Sequence, residues 1–67
     1  MMIKLTLVSD KVIDISSMVI SRVWAERSYT VVECLHDKTK MFVRESVAEI
    51  EKRCEGITVS SAEFIHD

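Results

Sequence analysis

The chain of 67 residues contains no proline, one glycine and few aromatic residues. One glycine cannot build the glycine-rich loop that holds phosphates, so the sequence excludes nucleotide binding of that kind. Proline is one of the residues that protects the edge of a sheet from pairing with another chain. Because proline is absent, we expect the edges to pair with a second copy or with a strand of a partner protein, and we expect a homo-oligomer.

Cysteine is also scarce, and long apolar runs are missing. Cys34 and Cys54 are few for a small secreted protein, so we expect reduced thiols, with a single bridge between them as the alternative. The longest apolar runs fall far short of the roughly 18 residues that span a membrane. Lys4 and Asp10 interrupt the start of the chain, which argues against a signal peptide. We therefore expect a cytoplasmic protein without a membrane span.

Metal ligands and nucleophiles are too few and too dispersed to predict a reaction. Two thiols and two imidazoles, at Cys34, His36, Cys54 and His66, could in principle form a zinc site. The sequence lacks the C-x-x-C spacing typical of such sites, and no third catalytic residue accompanies a cysteine–histidine pair. We therefore expect neither an enzyme nor a metal or cofactor.

The charge of the chain is small overall but uneven. Hydrophobic residues make up 48% and charged residues 30%, which is typical of a folded domain, and the net charge is -2. Residues 1–44 carry seven basic and five acidic side chains, whereas residues 45–67 carry two basic and six acidic ones. Nucleic acid would therefore need a local basic patch, and we consider it an unlikely partner that is not excluded.

Alternating apolar and polar residues predict strands through most of the first 44 residues. Ile3, Leu5 and Leu7 alternate with polar neighbours, and Ser9 and Asp10 are typical of a hairpin turn. Paired serines at 16 and 17 favour a short helical turn. The pattern predicts strands at about 2–8, 12–15, 20–25, 29–35 and 40–44.

The hydrophobic period changes from two to that of a helix after residue 45. Val47, Ile50 and Cys54 fall on one helical face. Ser46 and Glu49 have the spacing of a capping box, which predicts where the helix begins. The helix is predicted over residues 46–55 and ends at Gly56, and residues 57–67 are either a tail or a sixth edge strand.

These elements predict an α+β, mainly β fold in one domain over residues 1–67. The architecture is a small antiparallel five- or six-stranded sheet with one C-terminal helix. We interpret Trp24 and Phe42 as core residues too. The predicted core of the sheet contains Ile3, Leu5, Leu7, Val23, Val31, Leu35 and Val43.

Two surfaces are candidates for binding. The helix region carries four carboxylates that form a solvated acidic face and could contact a partner protein: Glu45, Glu49, Glu51 and Glu55. Basic residues in the strands lie near Trp24, Tyr29 and Phe42 in the sequence, so an aromatic and basic surface for RNA is the alternative. Its basic members would be Lys4, Arg22, Lys38, Lys40 and Arg44.

Three segments resemble the FlbD/SwrD family of small bacterial flagellar-associated proteins. They are Met2-Ile-Lys-Leu-Thr6, Thr30-Val-Val and Met41-Phe-Val-Arg-Glu-Ser46-Val-Ala-Glu-Ile50. The similarity extends over about residues 2–53. It implies a non-enzymatic cytoplasmic protein that acts by binding and serves as an accessory to flagellar function.

A second resemblance is to the CsrA family of dimeric RNA-binding translational regulators. Phe42-Val-Arg44-Glu45 is similar to the segment that precedes the short helix of that family. The resemblance implies Lys4, Thr6 and Arg44 as RNA-binding candidates. A phage-encoded inhibitor of a host protein is a third hypothesis, since a small chain with an acidic helix is compatible with that role.

Overall fold

The computed structural model describes residues 2–54 and 62–66, which form six strands, a 3-10 helical turn and one α-helix. The helical turn covers Ser17–Val19, where the two serines favour it. The strands are β1 Met2–Thr6, β2 Val12–Ser16, β3 Ile20–Ala25, β4 Thr30–Cys34, β5 Lys40–Val43 and β6 Glu63–Ile65, and the helix is α1 Val47–Arg53. The mainly β class with one helix near the C-terminus is thus confirmed.

The strands lie in two sheets rather than in one. β1 and β2 form an antiparallel hairpin, while the other four strands have the order β5-β4-β3-β6. A bridge between Leu7 and Val43 joins the hairpin to β5. β6 forms the edge strand that was one of two predictions for the tail, and it pairs parallel to β3. Since β5 and β6 run in the same direction, they need a crossover connection, which contains α1.

The core lies between the inner face of the four-stranded sheet and the layer formed by α1 and the β1–β2 hairpin. The predictions for Ile3, Leu5, Val23 and Val43 are confirmed, and Leu7 packs partly buried against the core. The helix contributes the three residues expected from its period. The buried cluster contains Ile3, Leu5, Ile20, Val23, Val32, Val43, Val47, Ile50 and Cys54.

The core prediction for Leu35 is wrong, because Leu35 follows β4 and the core-facing residues of β4 have the opposite parity. Val32 is fully buried in the core, whereas Leu35 is 45% exposed. The prediction that Val31 is buried is confirmed, since it is 3% exposed, although it lies outside the core cluster. The run of apolar residues in β4 has no alternation, so its pattern does not reveal which face is inside.

The start of α1 follows its predicted cap. Ser46 Oγ accepts a hydrogen bond from the Glu49 N–H at 3.1 Å, and the Glu49 carboxylate lies 3.3 Å from the same hydroxyl. This bond satisfies one of the free N–H groups of the first turn. The end predicted at Glu55 and Gly56 lies outside the described residues.

Lys38, in the connection between β4 and β5, adopts a left-handed backbone with φ of 58°. Such a conformation costs a residue with a Cβ about 1 to 2 kcal/mol, and glycine avoids this cost. We expect Lys38→Gly to raise the free energy of unfolding by about 0.5 to 1 kcal/mol, after the greater freedom of glycine in the unfolded chain is subtracted.

Urea denaturation of Lys38→Gly and Lys11→Gly measures this effect with a matched control. Lys11 is also an exposed hairpin lysine, but its φ is negative, so its replacement should destabilise the chain. A loss of stability in both variants would show that the left-handed backbone at Lys38 carries no cost.

Candidate functional site

The candidate site is the face of the four-stranded sheet that points away from the core, which we call the outer face. Cross-strand partners share a face of a sheet, so the strand register aligns Phe42, Val31, Trp24 and Ile65 in one row across all four strands. Phe42 is 45% and Ile65 38% exposed. Val31 is only 3% exposed, because the large side chains of Phe42 and Trp24 flank it on the neighbouring strands.

The aromatic rings at the outer face are held in place by neighbours. The rings of Tyr29 and Phe42 meet edge to face with centroids 5.1 Å apart. The Trp24 indole N–H donates a hydrogen bond of 3.0 Å to Glu26 Oε1. These contacts restrict the side chains before any partner binds, which lowers the entropy lost on binding.

A row of charged residues lies beside the apolar row. Its four members alternate in sign across the sheet in the order Lys40, Glu33, Arg22 and Glu63. Lys40 Nζ and Glu33 Oε2 are 3.8 Å apart. The charges of this row cancel, so the outer face provides no positive field for a polyanion.

The interpretation of Trp24 and Phe42 as core residues is wrong, whereas the alternative of an aromatic and basic surface groups them with Arg22 and Lys40. Trp24 is half-buried and Phe42 is exposed, and both lie outside the core cluster. A signal existed in β3 and β5, where each aromatic residue is two positions from a basic one, Arg22 or Lys40. Because residues i and i+2 share a face, the charged neighbours place these aromatic residues on a solvent-facing side.

The three residues implied for RNA binding by the second resemblance have partners within the chain. Lys4 Nζ lies 3.4 Å from Asp14 Oδ1, and Arg44 Nε lies 2.8 Å from Asp10 Oδ1. The Thr6 N–H donates to a carboxylate of the same chain. The structure therefore does not bring these residues together as a free basic surface.

Glu45 is a structural residue rather than part of a solvated acidic face, so that interpretation is wrong. It is 8% exposed. Its two carboxylate oxygens accept the Thr6 N–H at 2.8 and 3.0 Å, and Arg53 Nη1 donates to Oε2 at 3.1 Å. Burial favours a higher pKa for Glu45, but the hydrogen bonds from Thr6, from its own backbone and from Arg53 outweigh it and lower the pKa.

Glu49 and Glu51 lie on α1, and both have partners within the chain. Glu49 Oε2 is 3.9 Å from Arg53 Nη2, one helical turn away. Glu51 Oε1 is 3.0 Å from His66 Nε2. Glu55 lies outside the described residues. Exposed pairs of this kind are weak, so the two carboxylates could still contact a partner, but they do not form an unpaired acidic surface.

The segment from Phe42 to Arg53 closes the free edge of β1. The Val8 N–H donates to the Phe42 carbonyl at 3.0 Å, and the Arg44 N–H donates to the Thr6 carbonyl at 2.8 Å. Arg53 Nη1 donates to the Lys4 carbonyl at 2.7 Å. The residues that carry much of the flagellar resemblance therefore hold the fold together.

The thiols are free and poorly suited to nucleophilic chemistry. Burial raises the pKa of both Cys34 and Cys54, and the charge of Asp37 adds to the effect at Cys34. A raised pKa keeps a thiol protonated at neutral pH. Within residues 2–54 and 62–66, no three histidine, cysteine or acidic side chains lie together as a metal site.

An open groove of about 450 Å³ lies between the β3–β4 turn and the start of α1. Arg27 and Tyr29 line one side, and Val47 and His66 are on the other. Among the residues the structure describes, no buried side-chain polar atom lacks a partner, so the groove contains no unpaired buried group that identifies a ligand.

Comparisons with known proteins give no relative. No protein-family model, curated protein or solved structure matches the chain. In the part of the chain that the structure describes, no helix is long and apolar enough to cross a membrane. The geometry of the outer face therefore provides the main basis for a function.

Proposed function

We propose that this chain is a non-enzymatic protein-interaction module that binds protein through its outer face. The observation that supports the proposal is the apolar row from Phe42 to Ile65, which crosses all four strands and faces away from the core. Apolar side chains that share a solvent-facing surface with polar neighbours mark interaction sites. Aromatic residues are also enriched where interfaces gain most of their affinity.

The charge of the outer face favours protein over RNA. RNA-binding sheets combine exposed aromatic rings with an excess of basic residues. Here Glu33 and Glu63 cancel Lys40 and Arg22 in the charged row. A neutral, alternating row matches the mixed charges of a protein surface.

We propose that the chain acts in the cytoplasm, and a component of the flagellar machinery is the first heterologous partner to test. The resemblance of residues 41–50 to small flagellar-associated proteins supports this choice. Much of that segment closes the β1 edge, so the resemblance concerns the scaffold that presents the outer face.

Affinity capture with matched variants tests the proposed binding surface. Three tagged proteins are compared: the unmodified chain, Phe42→Asp and Val12→Asp. Each is incubated with a nuclease-treated lysate of a flagellated bacterium, to which an untagged copy of the unmodified chain is added. Val12 is 58% exposed on β2, away from the outer face, so it controls for the loss of an exposed apolar residue. Loss of a central aromatic contact costs about 2 kcal/mol or more, which is about 30-fold in affinity.

We expect bound proteins to be retained by the unmodified chain and by Val12→Asp, and to be lost with Phe42→Asp. Circular dichroism shows whether each variant is folded. Identical bound proteins for all three would contradict the proposal. Loss confined to Val12→Asp would place the binding surface on the β1–β2 hairpin instead.

A further inference from the structure

We infer that the partner of the outer face is a second copy of this chain, in a symmetric dimer with the two sheets face to face. This inference rests on the proposed function, since it names the occupant of the same surface. It is supported by the order of the charges in the charged row. Of the simple two-fold arrangements of two stacked sheets, only one places every charge of this row opposite a charge of the other sign in the second copy.

The charged row determines the orientation of the second copy. In a two-fold dimer whose axis runs parallel to the strands, the row of the second copy has the reversed order. Lys40 then faces Glu63 of the other copy, and Glu33 faces its Arg22. Each contact occurs twice by symmetry, so all four charges of each copy meet an opposite charge.

The apolar row is matched in the same orientation. Phe42 faces Ile65 of the second copy, and Val31 faces its Trp24, so apolar residues meet apolar residues. A two-fold axis in the interface but perpendicular to the strands would place the charged row of one copy against the apolar row of the other. The charged side chains would then lose their water without gaining a partner of opposite charge. Two sheets packed in this way lie about 10 Å apart, with their strands aligned to within about 30°.

The size of the outer face predicts a weak dimer. Four strands give a width of about 19 Å, and five residues give a length of about 17 Å. Such a face is smaller than a standard protein interface, so the dimer should be weak and transient. Concentration-dependent measurements are therefore the appropriate test.

Mixing two charge-reversed variants tests the dimer. Lys40→Glu places two pairs of negative charges opposite each other across the interface. Glu63→Lys places two pairs of positive charges there. Each variant alone should dimerise about tenfold more weakly than the unmodified chain in sedimentation velocity experiments. In a mixture, Glu at position 40 faces Lys at position 63 and Lys40 faces Glu63, so we expect a heterodimer with the original affinity.

The mixture separates contacts between copies from effects within one copy. Lys40→Glu also loses its contact with Glu33, but that loss persists in the mixture and cannot explain a rescue. Lys11→Glu, in the β1–β2 loop, controls for net charge and should leave the dimer unchanged.

A chain that stays monomeric at millimolar concentration, or a dimer that the mixture does not restore, would overturn the inference. The capture experiment distinguishes the two proposals. Proteins other than the untagged copy that are lost only with Phe42→Asp would support the binding surface even when no dimer forms.

Discussion

Replacing Leu5 with alanine is expected to remove about 2 to 5 kcal/mol from the free energy of unfolding. Leu5 is fully buried at the centre of β1, within the cluster that joins the hairpin, the helix and the four-stranded sheet. The substitution loses the burial of the side chain and leaves a cavity that the packed neighbours cannot fill completely. A chain of this size has only about 3 to 10 kcal/mol of stability, so the variant should be partly or wholly unfolded.

Urea denaturation followed by circular dichroism measures the loss. Val12→Ala is the matched control, because Val12 is 58% exposed on the neighbouring strand of the same hairpin. We expect the control to lose less than about 1 kcal/mol. Equal losses in the two variants would contradict the position of the core between the sheet and the hairpin.

Replacing Glu45 with alanine is expected to cost about 2 to 4 kcal/mol. The Thr6 N–H loses both carboxylate acceptors, and the Arg53 guanidinium loses its closest charged partner. A partly buried donor left without an acceptor and a broken, partly buried ion pair are both destabilising. Glu49→Ala is the control, since its carboxylate is exposed and its pair with Arg53 is longer.

The lowered pKa of Glu45 also predicts how stability depends on pH. The pKa is lower in the folded chain than the ordinary value of 4.5, so the folded state favours the charged carboxylate. This contribution is fully present above the pKa of the unfolded chain and is lost as the pH falls through the folded pKa. The stability difference between the unmodified chain and Glu45→Gln should therefore shrink below about pH 4.5. A difference that stays constant through this range would contradict the role of the charge.

Sequence patterns predict the elements of this fold well, because each depends on neighbouring residues. The alternation around Leu5 predicts β1, the serines predict the helical turn at Ser17–Val19, and Ser46 determines where α1 begins. Each of these signals is a local preference of the backbone or a local hydrogen bond. Local signals, however, do not predict how the strands divide between two sheets.

The candidate site depends on long-range pairing, and the sequence predicts only some of its members. Trp24 and Phe42 are on strands that do not pair, and Val31 of the strand between them completes the row. A shift of one residue in the pairing of β4 reverses its faces, so the apolar run that ends at Leu35 predicts the wrong side for this residue. Glu45 shows the same limit, because its partner Thr6 lies 39 residues earlier in the chain.

The fold and the proposed function use different parts of the chain. Residues of the segment from Phe42 to Arg53 close the β1 edge, and the core residues of β3 and β4 pack the four-stranded sheet against α1 and the hairpin. The opposite side chains of the same strands are then free to form the outer face. We therefore expect substitutions at Phe42 to reduce binding far more than stability.

Photo-cross-linking tests most directly whether the outer face is the binding surface. The photoreactive residue p-benzoylphenylalanine replaces Phe42 in one variant and Val12 in another, and each is irradiated in the bacterial lysate with the untagged chain present. The account predicts abundant protein adducts from position 42, including the chain itself, and few from position 12. Equal adducts from both positions, or more from position 12, would contradict it.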